Sequence, residues 1–366
     1  MGVMGHVGRR VRLHARLLGG ATLVVGAGFV GFAGREALSP ALARPAVWVG
    51  PPLAGSWART GLTVQTNALS GEPGRPAVVV AGTDDGVWRS GDSGAHWARV
   101  GVGLRGKEVD ALATASGDGT LFAGGADGAV YELGRGRAAW RRVGSPLGVN
   151  PIYSLAVSSG GRGTVLAGTV GALYRGATTG SSWRWRRVAQ TGDAAVTSIV
   201  WPSPGVERAL ASVFGVWPPV LETQDDGWTW RAASAGLLSA LPTQTLLALT
   251  QRGSCGPRVI LTTMGGGVWE RSSTGMWRDV SAGLPARHAM PLVALPGVAT
   301  TVLYAGTMGD GVYVKQGDAA WQPLGHGLTG EDNTTLALGV SAGSTGSPAT
   351  LLAGTAHGVF RYVAAR

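Results

Sequence analysis

The sequence is poor in cysteine, which limits both crosslinks and metal sites. Cys255 is the one cysteine among 366 residues, so an intrachain disulfide and a cysteine-based metal cluster are both excluded. It lies in Gly-Ser-Cys-Gly-Pro, a composition typical of a turn. A nucleophilic thiol needs a nearby histidine and an electropositive pocket. We therefore interpret Cys255 as a free thiol without a catalytic role.

Charged residues are scarce too, and lysine most of all. They make up 14% of the chain, against about 25% in typical domains. The only lysines are Lys107 and Lys315, so the net charge of +10 is carried by arginine. Five arginines and one glutamate precede residue 44, which leaves +6 for the remaining 300 or so residues. This mild excess does not predict a nucleic-acid partner.

Histidine is also sparse, and its positions do not suggest a metal site. The six histidines are dispersed, without the short spacings that ligand pairs show. We expect no metal and no cofactor. Glycine, in contrast, is abundant at 62 residues, alongside 45% apolar residues. This combination favours many short strands joined by tight turns, because glycine supplies the positive φ that such turns need.

The N-terminal segment has the pattern of an export signal. Residues 1–16 carry four arginines and no acid, and residues 17–34 form an uncharged apolar run. We expect one hydrophobic helix here, and residues 1–43 to be a signal peptide or a signal anchor. Cleavage after Ala43 and retention as an anchor both remain open. Either would place residues 44–54, a linker, and the rest of the chain outside the cytoplasm.

Tryptophan recurs at a nearly constant interval through the rest of the chain. The repeated residues are Trp57, Trp97, Trp140, Trp183, Trp230, Trp277 and Trp321. Their spacing is 40 to 47 residues, the length of one four-stranded propeller blade. Other landmarks keep the same phase. Ala-Gly-Thr or a variant ends an apolar segment before the third-strand aromatic, as in residues 78–88 and 302–313, and Gly-Leu follows several of the Trp strands. Each unit therefore predicts four short strands.

The two ends of the chain predict a closed ring. The last unit, ending at Arg366, has three strands and no Trp strand. Residues 55–62, Gly-Ser-Trp-Ala-Arg-Thr-Gly-Leu, supply the missing strand at the other end. Closure would pair both chain ends and remove an open edge. The sequence therefore predicts an all-β, seven-bladed propeller of four-stranded antiparallel blades over residues 55–366, in which the N-terminal strand completes the last blade.

Two turns carry a further signature, Ser/Thr-x-Asp-x-Gly-x-x-Trp. The first has Ser90, Asp92, Gly94 and Trp97, and the second has Thr223, Asp225, Gly227 and Trp230. This signature resembles the BNR or Asp-box repeat of propellers related to sialidases, xyloglucan-type glycosidases, sortilin-like receptors and a photosystem II assembly factor. In such families the box is a structural device away from the active site. The resemblance implies that these eight residues are structural, and the remainder of the unit is similar to the non-enzymatic members.

Catalytic candidates are few. The arginine motif of sialidases is absent, and most tyrosines occupy repeat positions. A glycosidase needs two carboxylates flanking the sugar. On the predicted inner strands only Glu108 and Asp110 qualify, and both come from one blade. Asp110 is thus the single weak catalytic candidate.

The interpretation we favour is an exported, non-catalytic scaffold that binds a protein or a glycan, membrane-anchored or secreted. We expect a monomer that contacts the membrane only through an uncleaved N-terminal segment. The candidate binding residues lie in loops that lead into inner strands, and they are Arg105, Lys107, Arg287 and His288. The alternatives are a diverged sialidase- or xyloglucanase-like hydrolase and an assembly factor for a membrane complex.

Overall fold

The computed structural model describes residues 54–158, 163–179, 182–202, 207–237, 239–249, 258–285, 287–295, 301–341 and 349–364. The predicted N-terminal helix and Cys255 lie outside these described residues. Within them the chain forms seven four-stranded antiparallel sheets and two short 3-10 turns, at Ala189–Thr191 and Gly330–Asn333. The predicted all-β, seven-bladed propeller is confirmed.

The strands run outward from the centre in each blade. The first strand of the described residues is β1 (Gly55–Arg59). Blade 1 comprises β2 (Thr66–Glu72), β3 (Arg75–Thr83), β4 (Gly86–Ser90) and β5 (Ala98–Arg99). Blade 2 comprises β6 (Val109–Thr114), β7 (Leu121–Gly125), β8 (Val130–Leu133) and β9 (Arg141–Arg142). Blade 3 comprises β10 (Ile152–Val157), β11 (Val165–Thr169), β12 (Leu173–Thr179) and β13 (Ser182–Val188).

The remaining blades repeat this order. Blade 4 comprises β14 (Val196–Val200), β15 (Ala209–Val213), β16 (Val220–Thr223) and β17 (Arg231–Ala232). Blade 5 comprises β18 (Thr243–Leu249), β19 (Arg258–Thr263), β20 (Gly267–Arg271) and β21 (Trp277–Asp279). Blade 6 comprises β22 (Ala289–Ala294), β23 (Val302–Thr307), β24 (Val312–Gln316) and β25 (Gln322–Pro323). Blade 7 comprises β26 (Ala337–Ser341), β27 (Thr350–Thr355), β28 (Gly358–Ala364) and β1.

The ring closes as the sequence predicts. β1 pairs antiparallel with β28, with Trp57 opposite Tyr362 and Ser56 opposite Val363. The Trp57 and Tyr362 rings meet edge to face at 5.3 Å. The inner strands contact one another in cyclic order, and β2 touches both β6 and β26. The two ends of the chain therefore complete one blade, and the inner strands surround a common axis.

The repeated tryptophans join adjacent blades. Four of them, and Trp185 in blade 3, donate an indole N–H to the carbonyl that directly follows the outer strand of the preceding blade. The pairs are Trp57 with Leu324, Trp140 with Val100, Trp185 with Val143, Trp277 with Ala233 and Trp321 with Val280, at 2.6 to 3.0 Å. Because each indole is also packed between two sheets, it supplies both apolar burial and a satisfied donor.

One repeat position predicted from the sequence is wrong. In each blade the third-strand aromatic, or its equivalent, pairs with the residue two places after the repeated tryptophan. Tyr131 pairs with Arg142 in blade 2, and Tyr174 pairs with Arg187 in blade 3. The repeat tryptophan of blade 3 is therefore Trp185, and not Trp183. Both lie in β13 two residues apart, on one side of the strand, so spacing alone could not separate them.

Candidate functional site

The antiparallel order of the strands gives the propeller two different faces. We call the loop face the one that carries the loops leading into the inner strands, such as residues 103–108 and 144–151, and the second-to-third strand turns. We call the box face the opposite one. It carries the inner-to-second strand loops, such as residues 115–120, and the turns at residues 90–97 and 223–230.

The inner strands are bulged where they leave the loop face. A register shift occurs near the start of β2, β6, β10, β14, β18 and β22. The first unpaired residue at each of these shifts is Asn67, Asp110, Tyr153, Thr197, Gln244 or Met290. A bulge re-aims a side chain and frequently lies beside a functional site. These six residues surround the loop-face end of the propeller axis. Because the backbone is irregular at each of them, we take them as the candidate site.

The bulges on either side of Asp110 carry neutral side chains. Asp110 is buried on β6, immediately after Glu108 and Val109. The equivalent positions on the two flanking blades are Asn67 and Tyr153, an amide and a phenol. Glycoside hydrolysis uses two carboxylates roughly 5 to 10 Å apart across the scissile bond. The neighbouring bulges therefore do not supply the second carboxylate.

Lys107 is held by its own blade. Its Nζ donates to Asp127 Oδ2 at 2.7 Å and to the Tyr131 hydroxyl oxygen at 2.9 Å, and that hydroxyl donates to Asp127 at 2.6 Å. The hydrogen bond to Asp127 raises the pKa of Lys107. Burial opposes ionisation of Asp127, but the bonds from Lys107 and Tyr131 outweigh it and lower its pKa. The result is a fixed charged triangle in blade 2.

Arg287 is likewise committed to structure. It adopts φ of +54°, and its guanidinium donates to Asp279 Oδ2 at 2.6 Å and to the Gly266 carbonyl at 2.9 Å. His288 forms a backbone bridge with Met264. Burial again opposes ionisation of Asp279, but its pKa is lowered by Ser281 and Arg287.

The four predicted binding residues do not come together. Arg105 and Lys107 lead into blade 2, whereas Arg287 and His288 lead into blade 6, with blades 1 and 7 between them on the shorter side of the ring. The guanidinium of Arg105 contributes to lowering the pKa of Asp85, although the hydrogen bond from Arg99 is the main cause. The structure thus places these residues on one face but in two separated groups.

A cluster of hydrogen-bonded side chains on the loop face stabilises blade 7, where the ring closes. Buried Asp332 accepts hydrogen bonds from Thr355 Oγ1 at 2.6 Å and from Arg59 Nη2 at 3.0 Å, and it lies 3.0 Å from His357 Nδ1. Because Arg59 is on β1 and Thr355 is on β27, Asp332 connects both chain ends to the loop that precedes β26.

The two Asp-box-like turns have the same hydrogen bonds. In the first, Asp92 Oδ1 accepts the His96 N–H at 2.9 Å, Ser90 Oγ accepts the Gly94 N–H at 2.8 Å, and the Trp97 indole donates to the Gly94 carbonyl at 3.1 Å. The backbone bond from His96 is the main reason that the pKa of Asp92 falls to about 2.

The second turn repeats this arrangement and adds an ion pair to the preceding blade. Asp225 accepts the Thr229 N–H at 2.9 Å, and the Trp230 indole donates to the Gly227 carbonyl at 3.2 Å. Asp226 pairs with Arg175 of blade 3 at 2.7 Å, and both side chains are buried. In the first turn Ser93 reaches Ser341 of blade 7 at 2.8 Å.

These turns join the two pairs of blades that no repeat indole joins. The five indole bonds cover the joints 1/2, 2/3, 4/5, 5/6 and 6/7, and the turns at 90–97 and 223–230 cover 7/1 and 3/4. Both turns lie on the box face, away from the bulged ring. Their geometry therefore fits the structural role that the sequence predicts.

The box face also carries two clefts, one on each side of the blade 2 loop at residues 115–120. The cleft between blades 2 and 3 has a volume of about 1270 Å³, with walls that include Phe122, Glu132 and Trp183. The cleft between blades 1 and 2 is smaller, about 280 Å³, and Arg137 lines both. The signal that could have revealed this region is Trp-Arg-Trp-Arg-Arg at 183–187, an aromatic-basic alternation.

The described residues contain neither a cluster of metal ligands nor a membrane-spanning helix. No three histidine, cysteine, aspartate or glutamate residues in the described ranges meet as metal ligands. Nor do those ranges contain an α-helix of the length and apolarity needed to cross a bilayer. The predicted signal or anchor at residues 1–43 lies outside the described residues.

The chain matches no protein-family model and no curated sequence. Among solved structures, it is similar to an ancestral GH74 enzyme at TM-score 0.65 and 16% identity, over 86% of this chain and 46% of that one. It also resembles the extracellular domain of a proposed one component system from B. thetaiotaomicron, at TM-score 0.62 and 15% identity, over 84% and 39%.

A third similar structure is virginiamycin B lyase from Staphylococcus aureus, at TM-score 0.64 and 9% identity, over 83% of this chain and 98% of that one. The chain spans about half or less of the GH74 enzyme and of the extracellular domain. At these identities the likeness shows the propeller fold alone, because one fold hosts many functions.

Proposed function

We propose that the chain is an extracytoplasmic, non-catalytic propeller of the Asp-box kind, which presents its loop face to a protein or glycan partner. The proposal rests on one observation, which is that charged side chains on the loop face are held in place by hydrogen bonds. Lys107, Arg287 and Asp332 are each fixed by hydrogen bonds within the fold. Fixed polar groups suit a preorganised binding surface, which loses little conformational entropy when a partner docks.

Three acids of the loop face are poorly suited to act as a general acid. A glycosidase requires a general acid with a raised pKa. The carboxyl groups of Asp85, Asp127 and Asp279 depart from their ordinary pKa in the opposite direction. Together with the neutral side chains at the bulges that flank Asp110, this favours a scaffold over the diverged hydrolase.

The catalytic alternative is tested by assaying the purified chain with aryl glycosides, xyloglucan oligosaccharides and sialosides. We expect no turnover above the buffer rate. Asp110→Asn is the diagnostic variant. Asp118→Asn, also in blade 2 but on the box face, is its matched control. Turnover that Asp110→Asn abolishes and Asp118→Asn leaves intact would establish a hydrolase and refute the proposal.

Export and partner binding need separate experiments. Residues 1–43 motivate the extracytoplasmic assignment, which also agrees with the extracellular domain among the similar structures. Protease added to intact spheroplasts should digest the propeller. Protection of the propeller beside a degraded periplasmic marker would contradict export. Recovery from membranes or from the medium separates an anchor from a cleaved signal.

The assembly-factor alternative is a special case of binding. It predicts that the chain co-purifies with a membrane complex after solubilisation, and that Lys107→Ala with Arg105→Ala reduces the recovery. A chain found only in the medium would exclude this alternative while leaving the scaffold itself in place.

A further inference from the structure

Blade 3 departs from the repeat at its outer edge. β13 has seven residues, whereas the outer strands of blades 1, 2, 4, 5 and 6 have two or three. Within β13, Trp185 makes the indole bond that joins blade 3 to blade 2. Trp183 is therefore an additional tryptophan that the blade-joining pattern does not require.

Trp183 forms one wall of the cleft between blades 2 and 3. Its ring meets Phe122 edge to face at 5.9 Å and stacks on Trp185 at 6.0 Å. Its indole N–H donates to Glu132 Oε2 at 3.1 Å, which fixes the ring across the joint. The side chain is half-buried, so part of the ring remains accessible from the cleft. A rigid, partly exposed aromatic wall suits a ligand with a flat apolar face.

The size of the cleft indicates a ligand larger than a single small molecule. Typical small-molecule sites occupy about 300 to 1,000 Å³. The cleft between blades 2 and 3 is about 1270 Å³ and continues past Arg137 toward its smaller neighbour. It can therefore hold several units of a linear chain.

The acids of the cleft are held by hydrogen bonds, whereas one arginine on its rim has no ion pair. Asp118 is held by Thr120, through the backbone N–H at 2.9 Å and the hydroxyl at 2.8 Å. Glu132 is held by Arg141, at 3.0 Å from its Nε, and by Trp183. Arg137 is exposed on the rim and makes no ion pair with any residue that the structure describes.

The surroundings reinforce this charge. Arg135 and Arg184 are exposed on the turn and the outer strand that flank the cleft, and neither forms an ion pair within the described part of the chain. A cleft with committed acids and free arginines complements an anionic ligand, because arginine binds carboxylate and sulfate with two parallel hydrogen bonds.

We propose that this cleft binds an acidic oligosaccharide, with one sugar ring against Trp183 and its carboxylate or sulfate groups on Arg137. The site lies on the box face, so it is separate from the loop face proposed above for partner binding. Neither site requires the other.

The test is isothermal titration of the full chain with oligogalacturonate, a heparin-derived oligosaccharide, neutral xyloglucan oligosaccharide and single-stranded oligothymidylate. The two acidic sugars distinguish carboxylate from sulfate. We expect an acidic sugar to bind, with affinity that falls as salt rises. Arg137→Ala should weaken binding about ten- to a hundredfold, because a charge-assisted bond is lost.

The controls separate the cleft from general basicity. Arg142→Ala removes an exposed arginine that does not line the cleft, and Trp228→Ala removes an exposed tryptophan elsewhere on the box face. Both should bind like wild type, whereas Trp183→Ala should not. If Trp183→Ala does not fold, Arg137→Ala, at an exposed site, still decides the question.

Four outcomes would overturn the proposal. They are no binding of either acidic sugar, equal binding of the neutral sugar, tighter binding of oligothymidylate, and binding that Arg137→Ala leaves unchanged. None of them bears on the loop face, which the hydrolase and partner experiments examine separately.

Discussion

At the scale of the residue, tryptophan performs two tasks that the spacing alone does not distinguish. In five blades the indole crosses to the preceding blade, and in blades 1 and 4 it bonds the carbonyl of its own turn. In blades 1 and 4 a glycine of the turn packs against the preceding blade instead. A Cβ on Gly94 would lie 2.8 Å from Leu352, and one on Gly227 would lie 2.8 Å from Leu166. Adjacent blades are thus joined either by an Asp-box-like turn or by an indole that crosses to the preceding blade.

The first prediction concerns a crossing indole. Trp277 is 4% exposed and bonds the Ala233 carbonyl at 2.7 Å. Trp277→Ala should lower the free energy of unfolding by about 3 to 5 kcal/mol, because it leaves a cavity and an unsatisfied carbonyl. The neighbouring Met276 is 51% exposed, and Met276→Ala should change stability by less than about 0.5 kcal/mol. Urea unfolding of both variants measures the difference. Equal midpoints would contradict a stabilising role for the Trp277 indole between blades 4 and 5.

The second prediction concerns acid. The pKa of Asp92 is about 2 in the folded chain, below its ordinary 3.8, so the folded state favours the carboxylate. The associated stability is present above about pH 4 and is lost as the pH falls toward about 2. Because the side chain is nearly half exposed, we expect only about 1 kcal/mol.

Thermal melts across this range check it. Asp92→Asn should be less stable than wild type near about pH 7, and the gap should narrow as the pH approaches about 2. Asp318→Asn, at a side chain 95% exposed, is the control. A gap for Asp92→Asn that stays constant with pH would argue against the turn geometry.

At the scale of the element, the Ala-Gly-Thr motif explains why second strands carry glycine. The glycine lies against the inner strand of the following blade. A Cβ on Gly168 would lie 2.6 Å from the Val196 carbonyl oxygen, and one on Gly354 would lie 2.9 Å from that of Thr66. The threonine closes the next turn, as Thr83 Oγ1 does by donating to the Gly86 carbonyl at 2.8 Å. The motif therefore sets how closely blades approach at the axis.

The third prediction follows from this contact. Gly168→Ala should cost about 1 to 3 kcal/mol, because the added methyl meets backbone that cannot move cheaply. Gly71 also lies in a strand, but the atom nearest its added Cβ, the Val340 oxygen, is 4.0 Å away. Gly71→Ala should leave the melting temperature unchanged or slightly raised. A similar loss of stability in both variants would show that the inner contact is unimportant.

The elements were more predictable than the site. Periodic landmarks gave the blade count, the strand order and the role of Trp57, because each depends on local spacing. The repeat tryptophan of blade 3 was assigned wrongly because Trp183 and Trp185 lie on the same side of β13. The separation of Arg105 from Arg287 depends on which blades face each other across the ring, a non-local fact. The bulged ring and the clefts likewise arise only from the assembled strands.

At the scale of the whole molecule, ring closure unites the ends of the chain. β1 pairs with β28, Asp332 bonds Arg59 and Thr355, and Ser93 reaches Ser341. These contacts span most of the sequence, so their formation carries a large loop-closure entropy. The two faces become defined only when this closure is made. Both proposed binding sites therefore depend on it.

Ring closure is best tested with a designed disulfide, in a Cys255→Ser background. Ser56 and Val363 are directly opposite in β1 and β28, and both are at least partly exposed. Directly opposed Cβ atoms are about 4.5 to 5.5 Å apart, close to disulfide geometry, whereas positions two residues out of register are about 7 Å apart. Ser56→Cys with Val363→Cys should therefore oxidise to an intramolecular disulfide, while Ser56→Cys with Arg361→Cys should stay reduced. Crosslinking of the second pair would contradict this register, and crosslinking of neither pair would contradict the closed ring.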